Sequence, residues 1–214
     1  MCGIIGYVSD KPKKEHKLIL SNLMYESRIR GMHAFGLAYG EYGSTLKVKK
    51  FFKVEEACEE IMKNCFSLLI AHSRYDTSGD WKVIENNQPI TIGKDVLVFN
   101  GVIRMCSKNK YEKEFNEKYT TENDGEIILK FLHDGNYKRA QELIEEKKVS
   151  YAGIHYVKQN LFAMRNIRRP LWYLSNGETQ LVVSTLDIAN RAMGDSFSDF
   201  EKEKVMKNKV MAIL

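Results

Sequence analysis

The sequence of 214 residues predicts an α+β fold in which helices stack on antiparallel or mixed sheets. Short apolar runs rich in β-branched residues, at 67–72 and 96–99, are typical of interior strands. Helical and strand patterns also come in groups along the chain. Because a doubly wound parallel sheet would require strict alternation of strands and helices, this grouping favours the α+β class.

Hydrophobic periodicity places the elements of the first half of the chain. Residues 3–8 form an apolar run that suits a buried strand. Residues 14–27 are predicted to be helical because their apolar side chains form one stripe: Ile19, Leu20, Leu23 and Met24. Strands are then predicted at 32–39 and 46–52, followed by a helix at 54–63 and interior strands at 67–72 and 96–99.

The second half begins with a helix-start signal. Thr121-Glu122-Asn123-Asp124 has the form of a capping box, so a helix is predicted to open there. Its inward face would carry Ile127, Ile128 and Phe131. A second helix is predicted over about 137–148, with strands at 151–157, 160–165, 171–174, 180–184 and 210–214. No repeat or low-complexity linker interrupts the chain, so residues 1–214 are expected to form a single domain.

Composition limits the function classes. No apolar run approaches the roughly 20 residues of a membrane span and no secretory h-region follows Met1, so the chain is predicted to be soluble and unsecreted. The cysteines have neither CxxC spacing nor a paired framework, which disfavours a zinc site or a disulfide scaffold and favours the reduced cytoplasm. The net charge of +5 is spread along the chain without interleaved aromatics, which disfavours nucleic-acid binding. No metal or cofactor is expected.

Cys2 is the first candidate for chemistry. Removal of Met1 would leave a thiol and a free α-amine on one residue. The ordinary pKa of an α-amine, about 7.7–8.0, lets it accept the thiol proton near neutral pH. Alone, the position fits a buried strand start equally well, because a free cysteine packs as a small hydrophobe.

Further polar residues stand at predicted strand ends and turns. Arg74 ends a predicted strand, where its guanidinium could bind a carboxylate bidentately, although most isolated arginines form surface ion pairs. Asn100-Gly101 is a turn signal, yet a side-chain amide next to a glycine N–H can also hold an oxyanion. Asp124 is either a helix-start acid or a partner for a ligand ammonium.

Several segments occur in one order along the chain. They are Cys-Gly-Ile-Ile-Gly at 2–6, Arg-Gly at 30–31, His-Ser-Arg-Tyr-x-Thr-x-Gly at 72–79, Glu-Asn-x-Gln-Pro at 85–89, Asn-Gly at 100–101 and Asp124. This ordered set resembles the class II glutamine amidotransferases, whose glutaminase domain is an N-terminal-nucleophile (Ntn) hydrolase. Residues 72–89 are especially similar to the glutaminase half of amidophosphoribosyltransferases, and 165–173 and 183–185 also resemble family segments. The resemblance covers about residues 2–214.

The resemblance implies a four-layer αββα sandwich with two central antiparallel sheets. It also implies a nucleophile, Cys2, whose own α-amine is the base. Asn100 and Gly101 would be the oxyanion-hole donors, and Arg30-Gly31 would be the family's Arg-Gly beside the nucleophile. The implied reaction is hydrolysis of L-glutamine through a γ-glutamyl thioester, with ammonia released.

The substrate-binding residues follow from the same resemblance. Arg74 would bind the α-carboxylate of glutamine and Asp124 its α-ammonium. Tyr75 and Thr77 would line the pocket. Because ammonia is seldom a useful final product, a separate synthase subunit is expected to receive it.

The sequence departs from the family pattern at a few positions. The usual Arg-Gly-x-Asp-Ser-x-Gly has His33 and Ala34 in place of the acid and the hydroxyl. The usual His-Asn-Gly has Phe99 as its first residue, which keeps both proposed donors. Asp76 stands where a small residue is common. None of these departures removes a proposed catalytic atom. Two alternatives stay open: a catalytically silent glutamine-binding or regulatory module, which retention of Met1 would favour, and an Ntn amidase that acts on γ-glutamyl compounds.

Overall fold

The computed structural model describes residues 1–213 and contains two antiparallel sheets. The first sheet comprises β1 (Gly3–Ser9), β2 (Ala34–Gly40), β3 (Lys47–Phe51), β4 (Leu68–Arg74), β9 (Trp172–Ser175), β10 (Thr179–Val183) and β11 (Glu201–Lys204). The second comprises β5 (Ile90–Ile92), β6 (Asp95–Val102), β7 (Ser150–Val157), β8 (Asn160–Arg165) and β12 (Val210–Ala212). Their strand orders are β11-β9-β10-β1-β4-β2-β3 and β12-β8-β7-β6-β5.

Helices cover the outer face of each sheet. The helices are α1 (Lys14–Ser27), α2 (Val54–Lys63), α3 (Lys108–Phe115), α4 (Glu126–His133), α5 (Tyr137–Glu145) and α6 (Leu186–Met193). Apolar side chains of α1, α2 and α6 pack on the first sheet, and those of α3, α4 and α5 pack on the second. The predicted αββα sandwich is thereby confirmed.

The alternation of side chains along the strands builds three apolar layers. In β1, Ile5 and Tyr7 face the helices, whereas Ile4 and Val8 face the second sheet. This follows from the two-residue period of a strand, which sends neighbouring side chains to opposite faces. Since both faces are covered, β1 is buried along its whole length.

The register places the start of the chain in the middle of the first sheet. Strand β1 pairs with β10 on one side and β4 on the other, with Ile5 opposite both Val183 and Ala71. Cys2 therefore precedes a central strand that is fixed from both sides. The ends of β1, β4 and β6 set the positions of the candidate residues.

The helix start predicted at residues 121–124 is wrong. Helix α4 begins at Glu126, and the side chain of Asp124 binds the backbone N–H groups of Ile103 and Arg104. The carboxylate of Glu126 instead accepts the N–H groups of Thr120 and Thr121, at 2.8 and 2.7 Å. The acid of the apparent capping box, Asp124, is therefore used in a contact with residues 103–104, and the hydroxyl of Thr121 donates to Glu126.

Other boundaries differ modestly from the predictions. The predicted helices at 14–27 and 54–63 coincide with α1 and α2. The short elements β5, α3, α6 and β11 were not predicted. The closing strand predicted at 210–214 is observed as β12, and position 214 lies outside the described residues. Within residues 1–213, no helix combines the length and apolarity needed to cross a membrane.

Candidate active site

Cys2 lies where the two sheets meet, and its thiol is almost inaccessible. The residue is 7% exposed. The two residues after it are held by hydroxyl groups of neighbouring strands: Gly3 N–H donates to Ser73 Oγ at 3.1 Å and Ile4 N–H to Ser184 Oγ at 2.8 Å. The main chain that carries the thiol is therefore fixed on both sides.

Asn100 approaches Cys2 from the end of β6 in the second sheet. The backbone N–H of Cys2 donates to Asn100 Oδ1 at 3.1 Å. The Nδ2 group of the same amide is buried and, among residues 1–213, has no hydrogen-bond partner. Since buried polar groups are nearly always paired, this free donor marks a place for a ligand acceptor.

Gly101 continues the strand beside Asn100. A Cβ at this position would lie 1.9 Å from the carbonyl oxygen of Ser150, so no side chain fits without a shift of the backbone. Glycine allows β6 and β7 to approach closely at this point. Of the two predicted oxyanion donors, Asn100 thus contacts Cys2 and Gly101 follows it in β6, and the role of both stays a prediction.

The surroundings of the thiol set its protonation. Tyr75 contacts it through its main chain, with its N–H 3.4 Å and its carbonyl oxygen 3.5 Å from Cys2 Sγ. Burial raises the pKa of the Cys2 thiol, opposed by the Tyr75 hydrogen bond and by the positive charges of Arg74 and Arg30. A buried thiol with a raised pKa needs a local base to become a nucleophile.

The Arg30-Gly31 segment passes directly behind this arrangement. Arg30 Nε donates to the carbonyl oxygen of Cys2 at 2.9 Å. A Cβ on Gly31 would lie 2.2 Å from the carbonyl carbon of Arg74, which explains why this position is a glycine. Arg30 therefore holds the nucleophile's main chain, and Gly31 lets the loop pack against residues 74–75.

Arg74, the predicted ligand of the α-carboxylate, is 3% exposed and surrounded by acceptors from its own loop. Its guanidinium donates to the Asn86 carbonyl and to Asn87 Oδ1, both at 2.6 Å. It also donates to the carbonyl oxygens of Ser78 and Gly79 and forms an ion pair with Asp76 at 3.0 Å. A substrate carboxylate would have to replace some of these acceptors.

Asp124, the predicted ligand of the α-ammonium, is 1% exposed. Its Oδ2 accepts the backbone N–H groups of Ile103 and Arg104 at 2.6 and 2.9 Å, and its Oδ1 accepts the Ser78 hydroxyl at 3.2 Å. Burial raises the pKa of this carboxyl, and the hydrogen bonds oppose that shift. Arg74 and Asp124 thus meet on one residue, Ser78.

The loop that carries Ser78 is held by stacked rings. The imidazole of His33 lies between the rings of Tyr75 and Trp81, with both centroid distances 5.3 Å. Its Nδ1 also accepts the N–H of Asp76 at 3.0 Å. The histidine that replaces the family's acid therefore fixes the loop, while the side chains of Tyr75 and Thr77 remain exposed.

The sequence did not indicate three contacts of this site. The Ser73 hydroxyl accepts the N–H of Gly3, Ser78 contacts both Arg74 and Asp124, and the Gln88 side chain binds Phe99 in β6. The motif containing Gln88 was visible in the sequence, but its partner was not. Within residues 1–213, no group of three or more His, Cys, Asp or Glu side chains could hold a metal ion.

Comparisons with known proteins agree with this geometry, although no family model matches the chain. The chain is 26% identical over 207 residues to glutamine–fructose-6-phosphate aminotransferase (isomerizing) of Campylobacter jejuni, covering 86% of this chain and 33% of that protein. It is 30% identical over 156 residues to the Helicobacter pylori protein of the same name, covering 70% and 25%. It is 25% identical over 187 residues to 7-cyano-7-deazaguanine synthase of Saccharolobus solfataricus, covering 80% and 40%. The chain thus spans two fifths or less of each of these relatives.

Solved structures show the same fold. The phosphoribosylpyrophosphate amidotransferase of B. subtilis superposes with a TM-score of 0.70 at 16% identity, over 95% of this chain and 49% of that one. A glutamine aminotransferase class-II domain protein from Silicibacter pomeroyi gives a TM-score of 0.55 at 13% identity, over 86% and 88%.

The sandwich, with Cys2 at the head of a central strand, has the Ntn-hydrolase fold. Its sequence relatives over most of the chain's length include glutamine–fructose-6-phosphate aminotransferases. The chain belongs to the class II glutamine amidotransferases, as the ordered motifs implied.

Proposed function

We propose that this chain is a glutaminase in which Cys2, freed by removal of Met1, attacks the side-chain amide of L-glutamine. The contact of the Cys2 nitrogen with Asn100 Oδ1 carries this proposal, together with Asn100 Nδ2, which has no partner in the described part of the chain. The Cys2 nitrogen would be the base, the Cys2 thiol the nucleophile and Asn100 Nδ2 the oxyanion donor, and all three belong to two residues in contact. After removal of Met1, the nitrogen that now donates to Asn100 becomes the α-amine.

The reaction follows from these groups. The Cys2 amine takes the thiol proton, and Sγ bonds to the amide carbon of glutamine while the carbonyl electrons move to oxygen. Asn100 Nδ2 and the Gly101 N–H hold that oxyanion. The ammonium of Cys2 returns the proton to the leaving nitrogen, the C–N bond breaks and ammonia departs. Water then attacks the γ-glutamyl thioester, and glutamate and the free thiol are regenerated.

The charged ends of glutamine would bind Arg74 and Asp124. Both side chains are buried and of opposite charge, and both contact Ser78. The Ser78 carbonyl and hydroxyl occupy the places proposed for the substrate's carboxylate and ammonium. Binding would therefore displace Ser78, and the substrate's own charges would replace its contacts.

A separate synthase is the proposed recipient of the ammonia, in a cytoplasmic setting. The names of the relatives, an aminotransferase and a synthase, support such a coupling. A native co-purification tests it: we expect a second protein that stimulates turnover. Recovery of this chain alone, with full activity and no stimulation by other proteins, would count against a separate synthase.

The test of the glutaminase itself is glutamate release from L-glutamine, with intact mass measured to establish the loss of Met1. We expect turnover by the processed protein and none by Cys2→Ala. Cys65→Ala, which removes an exposed cysteine, is the matched control and should keep full activity. Equal rates for Cys2→Ala and the parent would refute the mechanism.

Two other outcomes identify the alternatives. Glutamine binding without turnover by the processed protein would indicate a silent regulatory module. Release of glutamate from γ-glutamyl peptides, with none from free glutamine, would indicate a different amidase.

A further inference from the structure

The ladder between β5 and β6 ends at Leu97, three residues before Asn100. Ile90 pairs with Leu97, so the same register would set Pro89 opposite Val98 and Gln88 opposite Phe99. That continuation is not used: the N–H of Phe99 donates to the side chain of Gln88 and not to its main chain.

The side chain of Gln88 takes over the pairing. Its Oε1 accepts the N–H of Phe99 at 2.6 Å and its Nε2 donates to the carbonyl oxygen of Phe99 at 3.1 Å. One primary amide thus satisfies both polar groups of one residue. Gln88 is 4% exposed, so these bonds are shielded from water.

His72 adds a third bond to the same residue. Its Nε2 donates to the Phe99 carbonyl oxygen at 3.2 Å from β4 of the other sheet. Burial lowers the pKa of His72 to about 3, so the ring is neutral at working pH and its proton lies on the nitrogen that faces the carbonyl. Phe99 is therefore tied to both the Gln88 loop and the first sheet.

The backbone of Gln88 is itself fixed. A Cβ on Gly36 would lie 1.9 Å from the carbonyl oxygen of Gln88 and 2.6 Å from Cδ of Pro89. The Gln88-Pro89 backbone thus rests directly on β2. Because its main chain is held in this way, the amide of Gln88 has little freedom to drift away from Phe99.

We propose that Gln88 is a positioning residue that fixes the main chain at Phe99 and thereby sets the place of the Asn100 amide beside Cys2. This inference rests on the proposed glutaminase function, in which Asn100 holds the oxyanion. On the other side of the Asn100-Gly101 pair, the N–H of Val102 donates to Ser150 Oγ at 3.2 Å. The pair is thus held from both ends by side-chain groups.

The test compares Gln88→Met, which keeps the size but loses both hydrogen bonds, with Gln88→Glu, which keeps an acceptor for the Phe99 N–H. The control is Asp95→Ala at the opposite end of β6, where Asp95 Oδ1 accepts the Lys158 N–H at 2.8 Å. All variants start from processed protein, and thermal unfolding shows whether each folds. If Gln88→Met fails to fold, Gln88→Glu carries the test.

We expect Gln88→Met to lower kcat for glutamine by about 10- to 100-fold, because displacement of an oxyanion donor by about 1 Å has effects of this size. KM should stay within about threefold, since Arg74 and Asp124 are untouched. Gln88→Glu should lose less, and Asp95→Ala should keep its kcat. Alkylation of Cys2 by iodoacetamide, which develops no oxyanion, should proceed at the parent rate.

An unchanged kcat in Gln88→Met would overturn the inference. So would an alkylation rate that falls as much as kcat, or a fall in kcat/KM that comes from a raised KM alone. Hydrogen exchange of residues 96–102 gives a readout that does not need activity, and only the Gln88 variants should exchange faster there. If the parent itself releases no glutamate, the proposed function fails. If the parent is active and Gln88→Met equals it, the inference about Gln88 fails.

Discussion

At the scale of single residues, the oxygen and the nitrogen of the Asn100 side-chain amide have different surroundings. Its oxygen accepts from the Cys2 nitrogen, and its Nδ2 group has no partner among residues 1–213. In the proposed mechanism the oxygen orients the base and the nitrogen holds the oxyanion. A substitution that keeps the side-chain oxygen but replaces the NH2 group therefore tests the oxyanion role separately from the contact with the Cys2 nitrogen.

Asn100→Asp makes that separation. The carboxylate keeps an oxygen for the Cys2 nitrogen and replaces the oxyanion donor by an acceptor. We expect kcat to fall by about 100- to 1,000-fold with KM within about threefold. Steady-state glutamate release measures both constants. Asn109→Asp, on the exposed face of α3, is the matched control, and a kcat for Asn100→Asp within tenfold of the parent would contradict the assigned role.

The pH profile reports on the proposed base. Burial lowers the pKa of the Met1 α-ammonium below 8.0, and the Cys2 amine exposed by processing lies deeper, so the same direction is expected. Activity requires the neutral amine, so kcat/KM should rise with pH through a midpoint below about 8. The raised thiol pKa keeps the amine–thiol pair neutral above that midpoint.

Kinetics between pH 5.5 and 9.5, with circular dichroism to show that the fold is intact, would measure that midpoint. An acid limb centred above 8, or no limb at all, would argue against the α-amine as base.

At the scale of elements, the loop between β4 and β5 lies in the place assigned to glutamine. Ser78 contacts both Arg74 and Asp124, and the stacked rings of His33, Tyr75 and Trp81 hold the loop down. The free protein thus satisfies its buried charges with its own serine. In the proposed mechanism, glutamine has to compete with these internal bonds.

Ser78→Ala weakens that competition. It removes the hydroxyl from Asp124 and leaves the carbonyl contact with Arg74. We expect KM for glutamine to fall about three- to tenfold at unchanged kcat, since one hydrogen bond contributes about 1 kcal/mol. Ser198→Ala, which removes a hydroxyl bonded to the Asp195 carbonyl at 2.8 Å, is the control. A higher KM in Ser78→Ala would mean that the hydroxyl binds the substrate instead.

The elements that the sequence predicted well are those with long periodic signals. The prediction of α1 agrees with the structure because its apolar residues at 19, 20, 23 and 24 recur at helical spacing. Strand β11 was missed because Glu201–Lys204 is charged and exposed along its whole length. The start of α4 lies later than predicted because Asp124 binds the distant amides of Ile103 and Arg104, which no local pattern reveals.

The sequence indicates the main residues of the candidate site but not all of its contacts. The motifs named Cys2, Asn100, Arg74 and Asp124, and the structure gathers them at the ends of β1, β4 and β6. The contacts of Ser78 and Gln88 depend on the path of a loop and on the register of two strands. Neither is encoded in the spacing of residue types, so both contacts are defined only by the folded structure.

At the scale of the whole molecule, two neutral histidines are enclosed within the layers. His72 lies between the sheets, and His155 lies beneath the helices of the second sheet, bonded to Tyr151. Burial lowers the pKa of each to about 3, from an ordinary value of 6.5. Between pH 3 and pH 6.5 these two imidazoles are therefore protonated in the unfolded chain and neutral in the folded one.

Stability should therefore fall as the pH drops from 6.5 toward 3. Each histidine contributes a slope of about 1.4 kcal/mol per pH unit to the free energy of unfolding between about pH 6 and 5. His155→Gln, which keeps a hydrogen-bonding group for Tyr151, should reduce the combined slope by about that amount. Urea unfolding at several pH values measures it. Above pH 7.5 the slope of the unfolding free energy against pH should be the same in both proteins, which is the control. If the slope between pH 6 and 5 is also unchanged in His155→Gln, this ring is protonated in the folded protein.

The central place of β1 also bears on the order of events during synthesis. Its neighbours in the sheet are β4 and β10, and residues 179–183 leave the ribosome long after residue 2. The nucleophile's strand thus stays unpaired on one side until most of the chain has been made. An aminopeptidase that removes Met1 consequently meets an extended, accessible chain end, and we expect trimming to precede folding. Protein refolded with Met1 still attached would present the same enzyme with a main chain already locked into the sandwich.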